Sequence, residues 1–163
     1  IANYCPAVAT NTAGSPAASA GEIGSVVPVT CGEMGFRPSV PTVTCKAGGV
    51  FDLALACEKI PAYCAARAPD TPGGPSVPAA VVNEEVQVAC LRRGFQAKTG
   101  MLRCVKASAD AGLFDMDPVC EPIAAYCPAV TADTEGQPSA PEAKVEEAVP
   151  VSCGQEGWRP LRP

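Results

Sequence analysis

A twelve-residue motif occurs three times in the chain and restricts its possible folds more than any other feature. The copies are Val27–Pro38 (VPVTCGEMGFRP), Val86–Ala97 (VQVACLRRGFQA) and Val149–Pro160 (VPVSCGQEGWRP). Each copy alternates valine with another residue up to a cysteine, which is typical of a β-strand. A glycine, which can take a positive φ, follows four residues later and is followed directly by an aromatic residue. We expect that aromatic residue to fill a small core, and the three copies to form a repeat fold.

Ten cysteines predict units that are stabilised by disulfides. The motif cysteines Cys31, Cys90 and Cys153 set a repeat of about 60 residues, which is too small to be stabilised comfortably by apolar burial alone. Small units with regularly spaced cysteines are typical of an oxidising compartment. Spacing alone leaves three pairings open for the four cysteines of a unit. Zinc is disfavoured because four-cysteine zinc sites use close pairs such as Cys-x-x-Cys, which this chain lacks.

The composition argues against several functional classes. The chain has no histidine, which removes the commonest general base and the usual hydrolase triads, so we expect no enzymatic activity and no cofactor. The net charge of -5 disfavours a nucleic-acid partner. No apolar run approaches the roughly 20 residues of a membrane span, and no signal peptide precedes Cys5. We therefore expect a mature or cropped extracellular segment, secreted or at the cell surface, without direct membrane insertion.

A proline- and alanine-rich loop after the first cysteine of each unit contains a repeated turn pattern. The segments Asn11–Pro16, Asp70–Pro75 and Asp133–Pro138 align without gaps. Their Asx-Thr-x-Gly pattern predicts a turn, since the Asx side chain can bond its own backbone and glycine can take a positive φ. O-glycosylation is the alternative interpretation of the threonines, which are Thr12, Thr71 and Thr134. No N-x-Ser/Thr acceptor for N-glycans occurs.

A second strand is predicted to enter the third cysteine of each complete unit. The segments Pro41–Cys45 and Gly100–Cys104 have the required pattern, with Val43 and Leu102 facing inward. No helix is expected, because proline is frequent and no apolar period of 3.6 residues is sustained.

Charged residues form several clusters in the sequence. The acidic groups Glu84-Glu85, Asp115-x-Asp117 and Glu146-Glu147 lack the register of a calcium loop and predict a solvated face. The basic residues of the second repeat predict either a docking patch for an acidic partner or a solvated edge that discourages strand pairing. They are Arg92, Arg93, Lys98, Arg103 and Lys106.

Together these features resemble the sushi domain, also called the complement control protein module or short consensus repeat. The resemblance rests on the four-cysteine unit, the Val-x-Val-x-Cys strand, the glycine–aromatic pair and an aromatic residue before the fourth cysteine. Phe51 and Phe114 stand where the family usually has tryptophan. The resemblance implies elongated, antiparallel β modules with disulfides from first to third and from second to fourth cysteine. The implied pairs are Cys5–Cys45, Cys31–Cys57, Cys64–Cys104 and Cys90–Cys120.

The expected organisation is a tandem array of small, disulfide-rich, all-β modules arranged like beads on a string. It comprises a linker from a preceding unit (1–4), a first sushi-like unit (5–58), a linker (59–63), a second unit (64–121), a linker (122–126) and an incomplete third unit (127–163). Cys127 and Cys153 take the first and second positions of that third unit, so the family pairing implies partners for them outside the chain.

The family resemblance leaves two functional hypotheses open. The first is a structural component of an extracellular filament, shaft or surface coat, with neighbouring copies of the same array as partners. It is favoured by near-equivalent units and short linkers that contain isoleucine, proline or tyrosine. The second is an adhesion, receptor or complement-regulator-like binding array, in which glycans can also take part. The basic second unit is the feature that favours it.

Overall fold

The computed structural model describes residues 4–161 and contains no helix within them. The regular structure is β, and the strands pair antiparallel. The predicted all-β, disulfide-rich fold class is therefore confirmed. Frequent proline explains the lack of helix, because proline removes a backbone donor and clashes with the preceding turn. No part of the described chain forms a helix with the length and apolarity needed to span a membrane.

Backbone contacts group the chain into two compact units. The first runs to Arg67 and also includes Pro78–Val86 and Met101–Asp117. The second comprises Ala68–Val77, Gln87–Gly100 and the chain from Pro118 onward. Each compact unit thus contains one of the two linkers predicted between units, 59–63 in the first and 122–126 in the second, and residues from both sides of it. The division into three sushi-like units, with its boundaries, stays a prediction.

The strands are short, as expected for a chain this rich in glycine and proline. In chain order they are β1 (Tyr4–Cys5), β2 (Val8–Ala9), β3 (Pro16–Ala18), β4 (Gly21–Glu22), β5 (Val26–Cys31), β6 (Phe36–Pro38), β7 (Thr42–Lys46), β8 (Val50–Phe51), β9 (Cys57–Lys59), β10 (Pro75–Ser76), β11 (Glu85–Gln87), β12 (Ala89–Cys90), β13 (Phe95–Ala97), β14 (Met101–Lys106), β15 (Gly112–Phe114), β16 (Cys120–Pro122), β17 (Val130–Thr131), β18 (Pro138–Ala140) and β19 (Ser152–Cys153). The first compact unit holds the sheets β1-β4, β2-β3-β5-β7-β8, β6-β9 and β11-β14-β15, and β11 ends one residue beyond it. The second holds β10-β12, β13-β16 and β17-β18-β19.

The main core of the first compact unit lies on one face of β5 and β7. Val27 and Val29 on β5 are buried and their neighbours along the strand are not, as the period-two alternation predicts. Val27 pairs with Val43 across the strands, and both pack with Ala18. The predicted inward orientation is confirmed for Val43 and for Leu102, each only 1% exposed.

The aromatic residue of each motif packs on a glycine rather than in the core. Phe36 and Phe95 are half-buried and Trp158 is exposed, so the expectation that they fill the core is wrong. The physical reason is a close approach of backbone: a Cβ added to Gly14 would lie 2.9 Å from the ring of Phe36, and one added to Gly73 would lie 2.8 Å from the ring of Phe95. One face of each phenylalanine ring therefore covers glycine, and the small valine side chains fill the core.

The glycines that these rings cover belong to the repeated Asx-Thr-x-Gly segments. The carbonyl of Thr12 accepts a hydrogen bond from the N–H of Ser15 at 2.9 Å, and that of Thr71 accepts one from Gly74 at 3.1 Å. The glycine between them has a positive φ, +80° at Gly14. The turn prediction is thereby confirmed. The side chains of the three threonines are exposed, and O-glycosylation stays a prediction.

Four disulfides cross-link the described part of the chain. They are Cys5–Cys45, Cys31–Cys57, Cys64–Cys104 and Cys90–Cys120, the same pairs that the sushi resemblance implies. The first-to-third bridges are the more deeply buried, with all four of their cysteines at most 1% exposed. Cys127 is exposed and Cys153 half-buried, and neither is paired within the described residues. Disulfide partners outside the chain stay a prediction for both.

The carboxylate of Asp52, which directly follows β8, binds two residues of β7 and should make the stability of the fold depend on pH. Its Oδ1 accepts the backbone N–H of Thr44 at 2.7 Å, and its Oδ2 lies 3.8 Å from Nζ of Lys46. The hydrogen bond from the Thr44 backbone is the main cause that lowers the pKa of Asp52 below its ordinary value of 3.8.

A group whose pKa is lowered by folding stabilises the fold above its unfolded pKa and loses that contribution as pH falls through the folded value. We therefore expect Asp52→Asn to unfold more easily than wild type at about pH 6, with the difference shrinking toward about pH 2. Urea midpoints measured across this range check the prediction, with Asp110→Asn, an exposed surface aspartate, as the control. A gap between wild type and Asp52→Asn that stays constant over the range would contradict it.

Candidate functional site: the junction turns

Three four-residue turns occupy equivalent positions shortly before the motif strand of each repeat. We call these segments, Glu22–Ser25, Val81–Glu84 and Lys144–Glu147, the junction turns. In each, the N–H of the fourth residue donates to the carbonyl of the first, at 2.9, 3.1 and 3.3 Å. The third residue has a positive φ in all of them: +86° at Gly24, +64° at Asn83 and +61° at Glu146. Glycine and asparagine take this conformation at low cost.

Side chains of the fourth residue close the same turns. Oε2 of Glu84 accepts the N–H of Val81 at 2.8 Å, and Oε2 of Glu147 accepts the N–H of Lys144 at 2.8 Å. Two of the glutamates in the acidic clusters thus act locally, as turn-closing acceptors, while remaining exposed.

The second residue of a junction turn contacts the glycine of the preceding motif. In the first compact unit, Val82 is fully buried, and a Cβ added to Gly35 would lie 2.6 Å from the Cβ of Val82. Gly35 also accepts a hydrogen bond from the N–H of Ile60 at 2.9 Å and donates its own N–H to the carbonyl of Ala109 at 3.4 Å. The glycine is therefore required for a close approach between backbone and valine, and its two backbone groups hold the linker and the following repeat.

The second compact unit repeats this arrangement. A Cβ on Gly94 would lie 2.6 Å from the Cβ of Val145, and the carbonyl of Gly94 accepts the N–H of Ile123 at 2.8 Å. The linkers also share a backbone conformation, because Ala62 and Ala125 both have a positive φ, of 51° and 54°. Left-handed alanine is uncommon and is kept where surrounding contacts fix it. The two junctions are therefore built in the same way.

Tyr63, at the end of the predicted linker 59–63, adds contacts that the repeat pattern alone did not indicate. Its side chain is 2% exposed, and its hydroxyl donates to the carbonyl of Ser108. Its own carbonyl accepts the N–H of Gly112 at 2.8 Å. Nζ of Lys106 and a carboxylate oxygen of Glu33 lie 4.0 Å apart in the same region. The longer turn between β14 and β15 thus reaches both the linker and the preceding motif.

The predicted basic patch divides between the two compact units. In the first, Arg103 pairs with Glu85 at 2.6 Å, and this hydrogen bond raises the pKa of Arg103. Lys106, also in the first unit, is the partner of Glu33. In the second, which also holds Lys98, Arg92 and Arg93 line a cavity of about 350 Å³ whose other lining residues include Asp70, Thr71 and Glu146. A docking role for the five residues stays a prediction.

Among residues 4–161, no three cysteine or acidic side chains are grouped so as to hold a metal ion. The chain matches no family model and no curated protein. The junctions are therefore interpreted from their own geometry. Sequence reasoning singled out the motif glycine for its turn but missed its contact with the next repeat. One sequence feature could have indicated this contact. It is an aliphatic residue followed by glycine, asparagine or glutamate, which occurs at Ile23-Gly24, Val82-Asn83 and Val145-Glu146.

Substitution of the motif glycine by asparagine should destabilise a junction in which a valine side chain contacts the glycine. It should have no such effect at a motif glycine that has no contact of this kind. Asparagine tolerates a positive φ better than other residues with a Cβ. At Gly35 that Cβ meets Val82, whereas at Gly157, with φ +84°, it meets nothing within 4 Å in the described chain. We expect Gly35→Asn to accelerate amide exchange of Ile60 at least about tenfold, because about 1.4 kcal/mol of local stability is lost.

The matched variant Gly157→Asn should leave exchange at Ile60 unchanged. Hydrogen exchange followed by NMR gives both readouts. Equal acceleration in the two variants would indicate a general effect of asparagine rather than loss of the Gly35–Val82 contact.

Proposed function

We propose that the chain is a structural component of an extracellular filament, shaft or surface coat that is built from tandem sushi-like units. The observation that supports this proposal is the recurrence of one junction geometry, Gly35 with Val82 and Gly94 with Val145. A linker whose backbone is hydrogen-bonded to the preceding motif has few conformations, so that adjacent repeats keep a defined spacing. Defined spacing serves a load-bearing or scaffolding role.

The disulfides support an extracellular location for this role. Four bridges in a chain of 163 residues are typical of proteins folded in an oxidising compartment. They also prevent a unit from unravelling fully when it is pulled, because the chain between paired cysteines cannot extend. Partners in this proposal are neighbouring copies of the same array.

A binding array is the second candidate, and one observation favours it. The cavity beside Arg92 and Arg93 is lined by guanidinium, carboxylate and threonine groups, and its two guanidinium groups can pair with the carboxylates of an acidic peptide. Under this alternative the junctions would hold the second sushi-like unit, which contains Arg92 and Arg93, in position to bind a ligand.

Imaging of the native assembly separates the two candidates. Antibodies raised against residues 1–163 should give regularly spaced immunogold labels along an extracellular filament or coat if the structural proposal is correct. Labels restricted to dispersed soluble molecules, each capturing one distinct ligand, would contradict it and favour the binding array.

A further inference from the structure

One cavity of the second compact unit contains two cationic side chains that lack an ionic partner. Its volume of about 350 Å³ lies within the range of pockets that hold small ligands. Arg92 and Arg93 line it together with the carboxylates of Asp70 and Glu146. Among residues 4–161 neither of these two guanidinium groups belongs to an ion pair. Both positive charges are therefore available to a ligand.

Arg92 stands two residues after the motif cysteine, where the other repeats place an oxygen atom against the Asx-Thr-x-Gly turn. In the third repeat the equivalent residue is Gln155, whose Oε1 accepts the N–H of Gly136 at 3.0 Å. In the first repeat it is Glu33, whose Oε1 accepts the hydroxyl hydrogen of Ser15 at 3.4 Å. A guanidinium group has donors and no acceptor. The side chain of Arg92 therefore cannot supply this oxygen in the second repeat.

The turn of the second repeat keeps the geometry of the third, including the donor that this oxygen would satisfy. Gly73 and Gly136 have φ angles of +86° and +80°, and an aromatic ring lies 2.8 and 3.0 Å from a Cβ added to each. Both glycines are buried. Within residues 4–161 the N–H of Gly73 has no hydrogen-bond acceptor, which is unfavourable for a buried donor. An oxygen of a bound ligand can take the place that Oε1 of Gln155 occupies in the third repeat.

We propose that this cavity binds a sugar acid, which is a sugar ring that carries one carboxylate and several hydroxyl groups. The carboxylate accepts hydrogen bonds from the N–H of Gly73 and from the guanidinium groups of Arg92 and Arg93. Hydroxyl groups of the ring donate to the carboxylates of Asp70 and Glu146, which can only accept when ionised. All four charged side chains of the cavity then have a partner.

The remaining lining favours a sugar acid over an acidic peptide. Phe95 also lines the cavity, and its ring offers an apolar surface to the C–H groups of a sugar. Asp70 and Glu146 repel any further carboxylate of the ligand, and the net charge of -5 adds to the repulsion of a polyanion. A ligand with a single carboxylate avoids this cost. The inference goes beyond the structural role proposed above and does not depend on filament formation.

Titration of the folded chain with glucuronate, followed by amide NMR shifts at constant ionic strength, tests the proposal. For a ligand of this size we expect a dissociation constant on the order of 1 mM, so the titration extends to about 10 mM. The amide of Gly73 should shift with glucuronate. Glucose, which lacks the carboxylate, should cause no shift. N-acetyl-aspartyl amide, a peptide carboxylate without hydroxyl groups, should bind at least about tenfold more weakly.

A substitution taken from the third repeat removes the site and preserves the turn. Arg92→Gln removes one charge and places Oε1 where the ligand oxygen is expected, so glucuronate should bind at least about tenfold more weakly. The variant should fold normally, because the third repeat has glutamine at this position. Lys98→Gln makes the same change of charge at an exposed residue of the same compact unit that does not line the cavity. Its affinity for glucuronate should equal that of wild type.

Three results would overturn the proposal. One is the absence of a shift at Gly73 in wild type, and another is an equal loss of affinity in Arg92→Gln and Lys98→Gln. The third is tighter binding of N-acetyl-aspartyl amide than of glucuronate, which would assign the cavity to an acidic peptide. Imaging of the native assembly tests the structural role separately, so either proposal can fail without the other.

Discussion

Removal of the Cys5–Cys45 bridge by the double substitution Cys5→Ala and Cys45→Ala is expected to lower the free energy of unfolding by about 4 kcal/mol or more. The bridge closes a loop with a sequence separation of 40, and the loss of this constraint from the unfolded chain accounts for the 4 kcal/mol in the loop-entropy model. Both cysteines are at most 1% exposed, so the loss of packed sulfur atoms adds to the effect. A unit of this size has little apolar core to compensate.

The second bridge of the same repeat provides the matched comparison. Cys31–Cys57 has a sequence separation of 26, for which the loop-entropy model gives about 3.5 kcal/mol. Its cysteines are only half-buried, so Cys31→Ala with Cys57→Ala should cost less than the first pair. Each double substitution leaves the number of free thiols unchanged. Urea unfolding without reductant measures both, and a loss below about 1 kcal/mol for the buried bridge would refute the view that disulfides dominate the stability of the unit.

The strands and turns of this chain could be predicted because their signals are local. The alternation in Val27–Cys31 specifies a strand with one buried face, and the Asx-Thr-x-Gly pattern specifies a turn, irrespective of the rest of the fold. The repetition of both patterns made the predictions consistent along the chain. The pairing of cysteines was different, since spacing left three choices and the resemblance to sushi domains implied the one found.

The contacts of the motif glycines were missed, because they join residues that are distant in sequence. Nothing local to Gly35 shows that Val82 will lie against it, and nothing local to Gly14 shows that Phe36 will cover it. The same reason explains the mistaken core position of Phe36. A large aromatic residue beside a strand is a reasonable core candidate from composition, but the ring of Phe36 lies on a glycine backbone next to the second disulfide. The junctions emerged only when the repeats could be compared in three dimensions.

Gly14→Ala is expected to destabilise the fold by about 3 kcal/mol or more. This is the largest effect that we expect from the addition of a single methyl group to this chain. A Cβ at this position would lie 2.5 Å from the Cβ of Cys57 and 2.9 Å from the ring of Phe36. Both neighbours are held, one by a disulfide and the other by strand pairing of Phe36 with Lys59. Neither can withdraw without disturbing β6 and β9, so the clash adds about 1 to 3 kcal/mol to the cost of alanine at a φ of +80°.

Gly24→Ala separates the backbone cost from the clash within the same repeat. Gly24 has a φ of +86°, and a Cβ there meets nothing within 4 Å in the described chain. Gly24→Ala should therefore carry only the backbone penalty of about 1 to 2 kcal/mol.

Urea midpoints of the two alanine variants measure the difference in stability. Substitution of glycine by asparagine at both sites provides a further check. Asparagine relieves the backbone cost at either position but still adds a Cβ. Gly24→Asn should therefore approach wild-type stability. Gly14→Asn should remain strongly destabilised, because the contact of Gly14 with Phe36 and Cys57 leaves no room for a side chain. Similar losses for alanine at Gly14 and at Gly24 would show that the left-handed backbone, rather than the packing of the aromatic ring, requires glycine in this repeat.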